Sequence, residues 1–211
     1  MSCVLILGAN GQIARIVKDR LLSETDHDLT LYLRRSKRLT QIDPQRETVI
    51  DGDVNDTQKL TKAMSGQDIV YANLGGVLEI QAQSIVDAMY AAGVKRLIFV
   101  SGLGIYDEVP GKFGEWNKQM VGPELVDSRK AADILEESDL NFTILRCAWM
   151  TDDDVIDYEI TEKGEPFKGT IISRKSVADL IMKLIQKPES HVRGSIGVNQ
   201  PNTDGDKPRM Y

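Results

Sequence analysis

The feature that most constrains this chain stands at its start. A short apolar run, Cys3-Val4-Leu5-Ile6-Leu7, breaks at Gly8-Ala9-Asn10-Gly11 and resumes as Gln12-Ile13-Ala14. Beyond the break, Ile13, Val17, Leu21 and Leu22 recur at helical spacing. The pattern predicts a buried strand, a tight turn and a helix. A side chain at Gly8 or Gly11 would obstruct anything approaching that backbone closely, and Ala14 lets the helix pack tightly on a sheet. The first amides of such a helix, at the positive end of its dipole, hold a pyrophosphate. Gly8, Asn10, Gly11, Gln12 and Ile13 are therefore the first candidate cofactor contacts. No Gly-Lys-Ser/Thr follows, so the turn is not a P-loop.

The same rhythm continues. Leu29–Leu33, Thr48–Ile50, Asp68–Leu74, Leu97–Val100 and Phe142–Leu145 read as strands, Ile171-Ile172 as a short one, and Ser195–Val198 as the last. Helices are expected over 58–65, 79–92 and 123–138, the last with Pro123 in its first turn, and from Ser176 onward. Residues 102–118, with four glycines and one proline, read as a long loop. The aspartate-rich stretch 151–157 reads as solvated, and the polar tail after Pro201 as frayed. Strands that alternate so little are buried on both faces. With no Pro/Ser linker and no internal repeat, residues 1–211 read as one doubly wound α/β domain. About 149–170 and 190–211 are expected to form a small substrate-side lobe over the carboxyl ends of the sheet.

Composition excludes several classes. A chain 41% hydrophobic and 27% charged is not globally disordered. A net charge of −6 argues against a general nucleic-acid or anionic-membrane partner. Two cysteines, Cys3 and Cys147, and two histidines, His27 and His191, argue against a disulfide scaffold and a zinc site. No apolar run is long enough to cross a bilayer, and the first residues lack the basic region of a secretory signal, so a cytoplasmic location is expected.

Six segments occur in an informative order: Gly-x-x-Gly-x-x-Ala at the start, LYLRRSKRL (31–39), GDVND (52–56), VSGLGIY (100–106), SDLNFTILR (138–146) and ISRKSVADLI (172–181). Together they resemble the atypical branch of the short-chain dehydrogenase/reductases, which includes NAD(P)H-binding, NmrA-like and flavin-reductase-like proteins. The resemblance covers about residues 3–199 and implies a Rossmann-type doubly wound parallel sheet.

The second strand runs into Arg34-Arg35-Ser36-Lys37-Arg38, four cations in five positions. A site selective for NAD usually offers a carboxylate here, and none is present. Arginine grips a 2′-phosphate bidentately and stacks on adenine. NADP(H) is therefore expected in preference to NAD, with Arg34 and Arg35 as leading contacts. The resemblance implies Asp53 and Val54 beside the adenine, and Asn73, Leu74 and Gly75 beside the ribose and pyrophosphate. It also implies that Ser101 orients a substrate and that Lys130 supports a tyrosine four residues earlier. That earlier position is Val126, which has no proton to give. Tyr106 is the candidate substitute, so Ser101, Tyr106 and Lys130 are the catalytic candidates, with Ser101 and Lys130 also candidate cofactor contacts.

A flavin or quinone needs no proton donor from the protein, and Trp116, Trp149 and Met150 are candidate walls for such a planar small molecule. Cys147 reads as a buried, inert thiol. The expected function is an NADP(H)-binding oxidoreductase acting on a flavin, quinone or small carbonyl compound. The alternative is a non-catalytic NAD(P)H redox sensor, NmrA-like, acting through a protein partner. A sugar-nucleotide epimerase or dehydratase is a third reading, disfavoured by the short stretch after Thr151. A helix pair is a candidate homodimer seam.

Overall fold

Strands apolar on both faces must be covered on both sides, and that requirement organises the molecule. The computed structural model describes residues 2–210. In chain order its strands are β1 (Cys3–Leu7), β2 (Asp28–Leu33), β3 (Glu47–Asp51), β4 (Ile69–Ala72), β5 (Arg96–Gly102), β6 (Asn141–Cys147), β7 (Trp149–Thr151), β8 (Glu159–Thr161), β9 (Ile171–Ser173) and β10 (Gly194–Asn199). Its helices are α1 (Gln12–Glu24), α2 (Thr57–Met64), α3 (Leu78–Ala92), α4 (Gly111–Glu137) and α5 (Arg174–Gln186). Eight strands form one sheet in the order β3-β2-β1-β4-β5-β6-β10-β8. Every pairing in it is parallel except β8 on β10. A separate parallel pair joins β7 to β9.

Alternate side chains of β1 serve the two faces. Val4 and Ile6 join the core under α1 and α5, with Val17, Leu21 and Ile181. Leu5 and Leu7 join the core under α2, α3 and α4, with Leu60, Ile85 and Leu135. Each of these side chains is fully buried, worth about 1.5–3 kcal/mol for a residue of that size.

The expected strands and helices are present, with ends within about two residues of expectation except for the helix expected to start at Pro123. Four expectations need correction. Residues 102–118 are not all loop, because α4 begins at Gly111. Gly114, one of the glycines that suggested a loop, permits a close approach instead: a Cβ there would lie 2.1 Å from the Val109 carbonyl oxygen. The helix breaks at Val121 (φ −133°, ψ 31°), just ahead of Pro123, whose ring and missing N–H bar a regular turn. Second, α5 starts at Arg174, because the Ser173 side chain caps it by accepting the Ser176 N–H at 2.9 Å. Third, β10 belongs to the main sheet rather than a lobe, since Ile196 and Val198 are fully buried beside β6. Fourth, the tail is tied down. The Thr170 hydroxyl donates to the Thr203 carbonyl at 2.6 Å, and Arg209 pairs with Asp153. Of the expected lobe, residues 149–170 supply β7 and the β8 edge, and β7 pairs with β9 just beyond them.

Candidate cofactor cleft and substrate pocket

In this sheet β1 lies between β2 and β4, so successive connections leave it in opposite directions. A crevice opens outside the carboxyl ends of the strands at such a reversal. Here it opens between Gly8, just past β1, and Asn73, just past β4, strands in register at Leu7 and Ala72. The Gly8 N–H donates to the Tyr32 carbonyl and the Gly11 N–H to the Gly8 carbonyl, each at 2.9 Å, which closes the turn.

Gly8 sits at φ +76°, and a Cβ on it would lie 2.2 Å from the Asn73 carbonyl oxygen. A Cβ on Gly11 would lie 2.0 Å from the Asn73 side-chain amide nitrogen. Gly8 is thus required by the fold itself, beyond any ligand that approaches it, whereas Gly11 is crowded only by the movable tip of a side chain. Gly11 precedes α1 without a side-chain cap, and no acidic residue stands in the first turn. That leaves an uncapped positive helix end facing the crevice, suited to a diphosphate.

The cleft encloses about 260 Å³. Of the residues expected there, Gly8, Asn10, Gly11, Arg34, Asp53, Val54, Asn73, Leu74 and Gly75 line it. Gln12 and Ile13 do not: the first side chain is exposed and the second is in the core, so only their backbone amides serve the turn. Arg35 is also absent from the lining. It adopts a left-handed conformation (φ 56°) ahead of the short turn Ser36–Arg38. Arg38 lines the cleft instead, and its guanidinium donates to the Arg34 carbonyl at 2.9 Å. The basic run signalled a cation pair, but only the turn geometry selects its members.

Two neighbours fix this basic rim. Asp51 accepts the Ser36 N–H at 2.7 Å, and that bond holds its carboxyl below the usual range. Tyr32 passes beneath Gly52, where a Cβ would meet its hydroxyl at 2.3 Å, and donates to the Asp53 carbonyl at 2.9 Å. Asp53 faces Arg34 across 3.6 Å, while the helix cap of α2 falls to Asp56. Gln81, from the first turn of α3, also lines the cleft and donates to the Gly75 carbonyl at 3.1 Å. No motif marked Gln81 or Tyr32 in the sequence.

A second hollow of about 320 Å³ adjoins the cleft, with Leu74 in both linings. Leu103, Val121, Leu125, Trp149 and Met150 give it an apolar wall. The Trp149 ring nitrogen donates to Asn117 at 2.9 Å. The Trp116 ring lies 5.0 Å from that of Trp149 and packs behind it rather than lining the hollow. Cys147 reaches the lining at 2% exposure, and burial pushes its thiol up to about 12, so it stays protonated.

The three catalytic candidates, expected to act together, line three different hollows. Ser101 lines the second hollow at 7% exposure, and its Oγ is buried without a hydrogen-bond partner among the described residues. Tyr106 donates its hydroxyl to Glu136 at 2.7 Å, and its ring is flanked by Lys163, Arg129 and Arg146. Burial, reinforced by the Glu136 carboxylate, pushes its phenol well above the usual value. Lys130 pairs with Glu79 at 3.0 Å and lines a different surface hollow beside Val126, which is 60% exposed. The four-residue spacing puts Val126 and Lys130 on one face of α4, but that face looks outward. Asp127 instead turns to α3 and accepts the Leu78 and Glu79 N–H groups at 2.6 and 3.2 Å.

Glycine turn, uncapped helix and basic rim at a strand reversal define a dinucleotide-binding α/β protein. The chain belongs to the NAD(P)H-binding family, whose model matches residues 8–188. It is an NAD(P)-binding oxidoreductase of the atypical short-chain dehydrogenase/reductase kind. A Rossmann-fold NAD(P)-binding family protein from Shigella flexneri is 51% identical, with 99% of this chain and 98% of that one covered and a TM-score of 0.86. A short-chain dehydrogenase/reductase from Veillonella parvula, in complex with NADP, is 34% identical over 99% of each chain, with a TM-score of 0.89. An uncharacterized sugar epimerase, YhfK, of Bacillus subtilis is 25% identical over 186 residues, 82% of this chain and 78% of its own. No helix among the described residues is long and apolar enough to cross a membrane, and no cluster of His, Cys, Asp or Glu among them suits a metal ion.

Proposed function

We propose that this protein is an NADPH-dependent reductase of a planar, carbonyl-bearing acceptor such as a quinone or flavin. The observation that carries the reading is the junction at Leu74, where an apolar hollow lined in part by Ser101, whose buried hydroxyl has no hydrogen-bond partner among the described residues, meets the cofactor cleft. Bound NADPH supplies the hydride. The residues of the chain do the rest. The α1 amides take the diphosphate, and Arg34 and Arg38 take the 2′-phosphate. The relative from Veillonella parvula in complex with NADP supports that choice of cofactor. Trp149 and Met150 hold the acceptor flat, and Ser101 donates to its oxygen. A buried hydroxyl left unpaired costs about 1–3 kcal/mol, so an acceptor carbonyl gains by satisfying it.

Tyr106 and Lys130 are engaged elsewhere, so the acceptor takes its proton from water. A delocalised ring tolerates this, whereas a simple aldehyde does not. The test mixes purified protein and NADPH with quinones, uncharged flavins such as riboflavin, and aldehydes and follows cofactor absorbance. Quinones or flavins are expected to oxidise NADPH faster than aldehydes, with Ser101→Ala slower by about tenfold. Tight NADPH binding with no oxidation by any acceptor would refute the reading. That result would favour the redox-sensor reading, to which the dispersal of Tyr106 and Lys130 also lends support.

A further inference from the structure

Resting on the reading of the second hollow as the acceptor's site, we infer that it selects uncharged acceptors and that Glu124 at its rim sets the selection. Among the described residues the lining contains no lysine or arginine, and Glu124 is its one charged residue. Arg34 and Arg38 line only the cleft. Four cations on α4 and β6 are already committed: Lys130 to Glu79, Lys118 to Asp107, Arg129 to Asp133 and Arg146 to Glu108, all within 3.0 Å. Glu124 itself forms no ion pair among the described residues. It follows Pro123 just after the break in α4.

An anionic group carried into this hollow exchanges water for an apolar wall and meets a carboxylate. A neutral carbonyl meets the buried Ser101 hydroxyl instead. The wall therefore accepts a quinone-like ring and turns away the same ring bearing a sulfonate, carboxylate or phosphate.

Binding tests this without turnover. A naphthoquinone and its sulfonate are titrated into the full chain loaded with NADP, and quenching of tryptophan fluorescence reads the Trp149 wall. The neutral ring is expected to bind about tenfold more tightly. Glu124→Gln narrows the gap to about threefold, while Glu137→Gln, which removes the same charge at the exposed end of α4, leaves it unchanged. Equal binding, tighter binding of the sulfonate, a gap untouched by Glu124→Gln, or no binding of the neutral ring would each overturn the inference. NADPH is titrated in parallel. If NADPH binds and the gap is absent, only the selection fails. If NADPH does not bind, the functional reading falls as well.

Discussion

Replacing Gly8 and replacing Gly11 by alanine have different physical consequences, although the two glycines look equivalent in the motif. At Gly8 the backbone is left-handed, which costs a residue with a Cβ about 1–2 kcal/mol. The new methyl would also lie 2.2 Å from the Asn73 carbonyl oxygen. That peptide cannot yield freely, because the Asn73 N–H donates to Leu7 at 3.0 Å across the β1–β4 pairing. Overpacking of this kind adds about 1–3 kcal/mol, for a loss of about 2–5 kcal/mol in Gly8→Ala. Gly11 has an ordinary extended conformation (φ −64°, ψ 154°), and its obstacle is the tip of the Asn73 side chain at 2.0 Å. Gly11→Ala should cost about 1 kcal/mol. For a domain of this size the Tm falls by about 2–4 °C per kcal/mol, so the two variants should be clearly separated. Urea unfolding followed by tryptophan fluorescence measures each variant alone and combined with Asn73→Ala. The second substitution should relieve Gly11→Ala and leave Gly8→Ala unrelieved. Equal relief in both, or a Gly8→Ala protein as stable as the wild type, would refute the reasoning.

Removing one partner of the buried Arg146–Glu108 pair, 2.7 Å apart, strands a charge in the interior. Glu108→Ala should cost about 3–5 kcal/mol in urea unfolding. It also frees residues 103–107, because the same carboxylate accepts the Gly104 and Tyr106 N–H groups. Tyr106→Phe and Lys130→Met should each retain acceptor turnover within about threefold, since neither side chain lines the second hollow. Cys147 should resist iodoacetamide at neutral pH in the folded protein and react only after unfolding, as peptide mass spectrometry can show, because burial pushes its thiol up to about 12.

The doubly wound order was legible because two-sided burial leaves its mark on every strand, from Val4–Leu7 to Phe142–Leu145. The turn at Gly8 and Gly11 was legible as well, although the steric demand proved to come from Asn73, a strand away, which local spacing cannot convey. The basic run after β2 announced a cationic rim. Its division into Arg34 and Arg38 facing the cleft and Arg35 facing away depends on one left-handed residue. The separation of Ser101, Tyr106 and Lys130 was hidden for a related reason. Spacing on α4 fixes which residues share a face, but the rotation of that helix decides where the face looks. Asp127 on the N-terminus of α3 and Lys130 on Glu79 record that rotation. The first half of α4 was hidden by its glycines, of which Gly114 serves a close contact rather than a loop.

The central claim is that the opening turn binds a dinucleotide and that the basic rim prefers its phosphorylated form. Isothermal titration of ligand-free protein with NADPH and NADH, repeated on Arg34→Ala, tests it most directly. NADPH should bind more tightly than NADH by at least about tenfold, and the variant should lose about ten- to a hundredfold for NADPH alone. No saturable heat with either coenzyme, or equal small losses for both in Arg34→Ala, would contradict it.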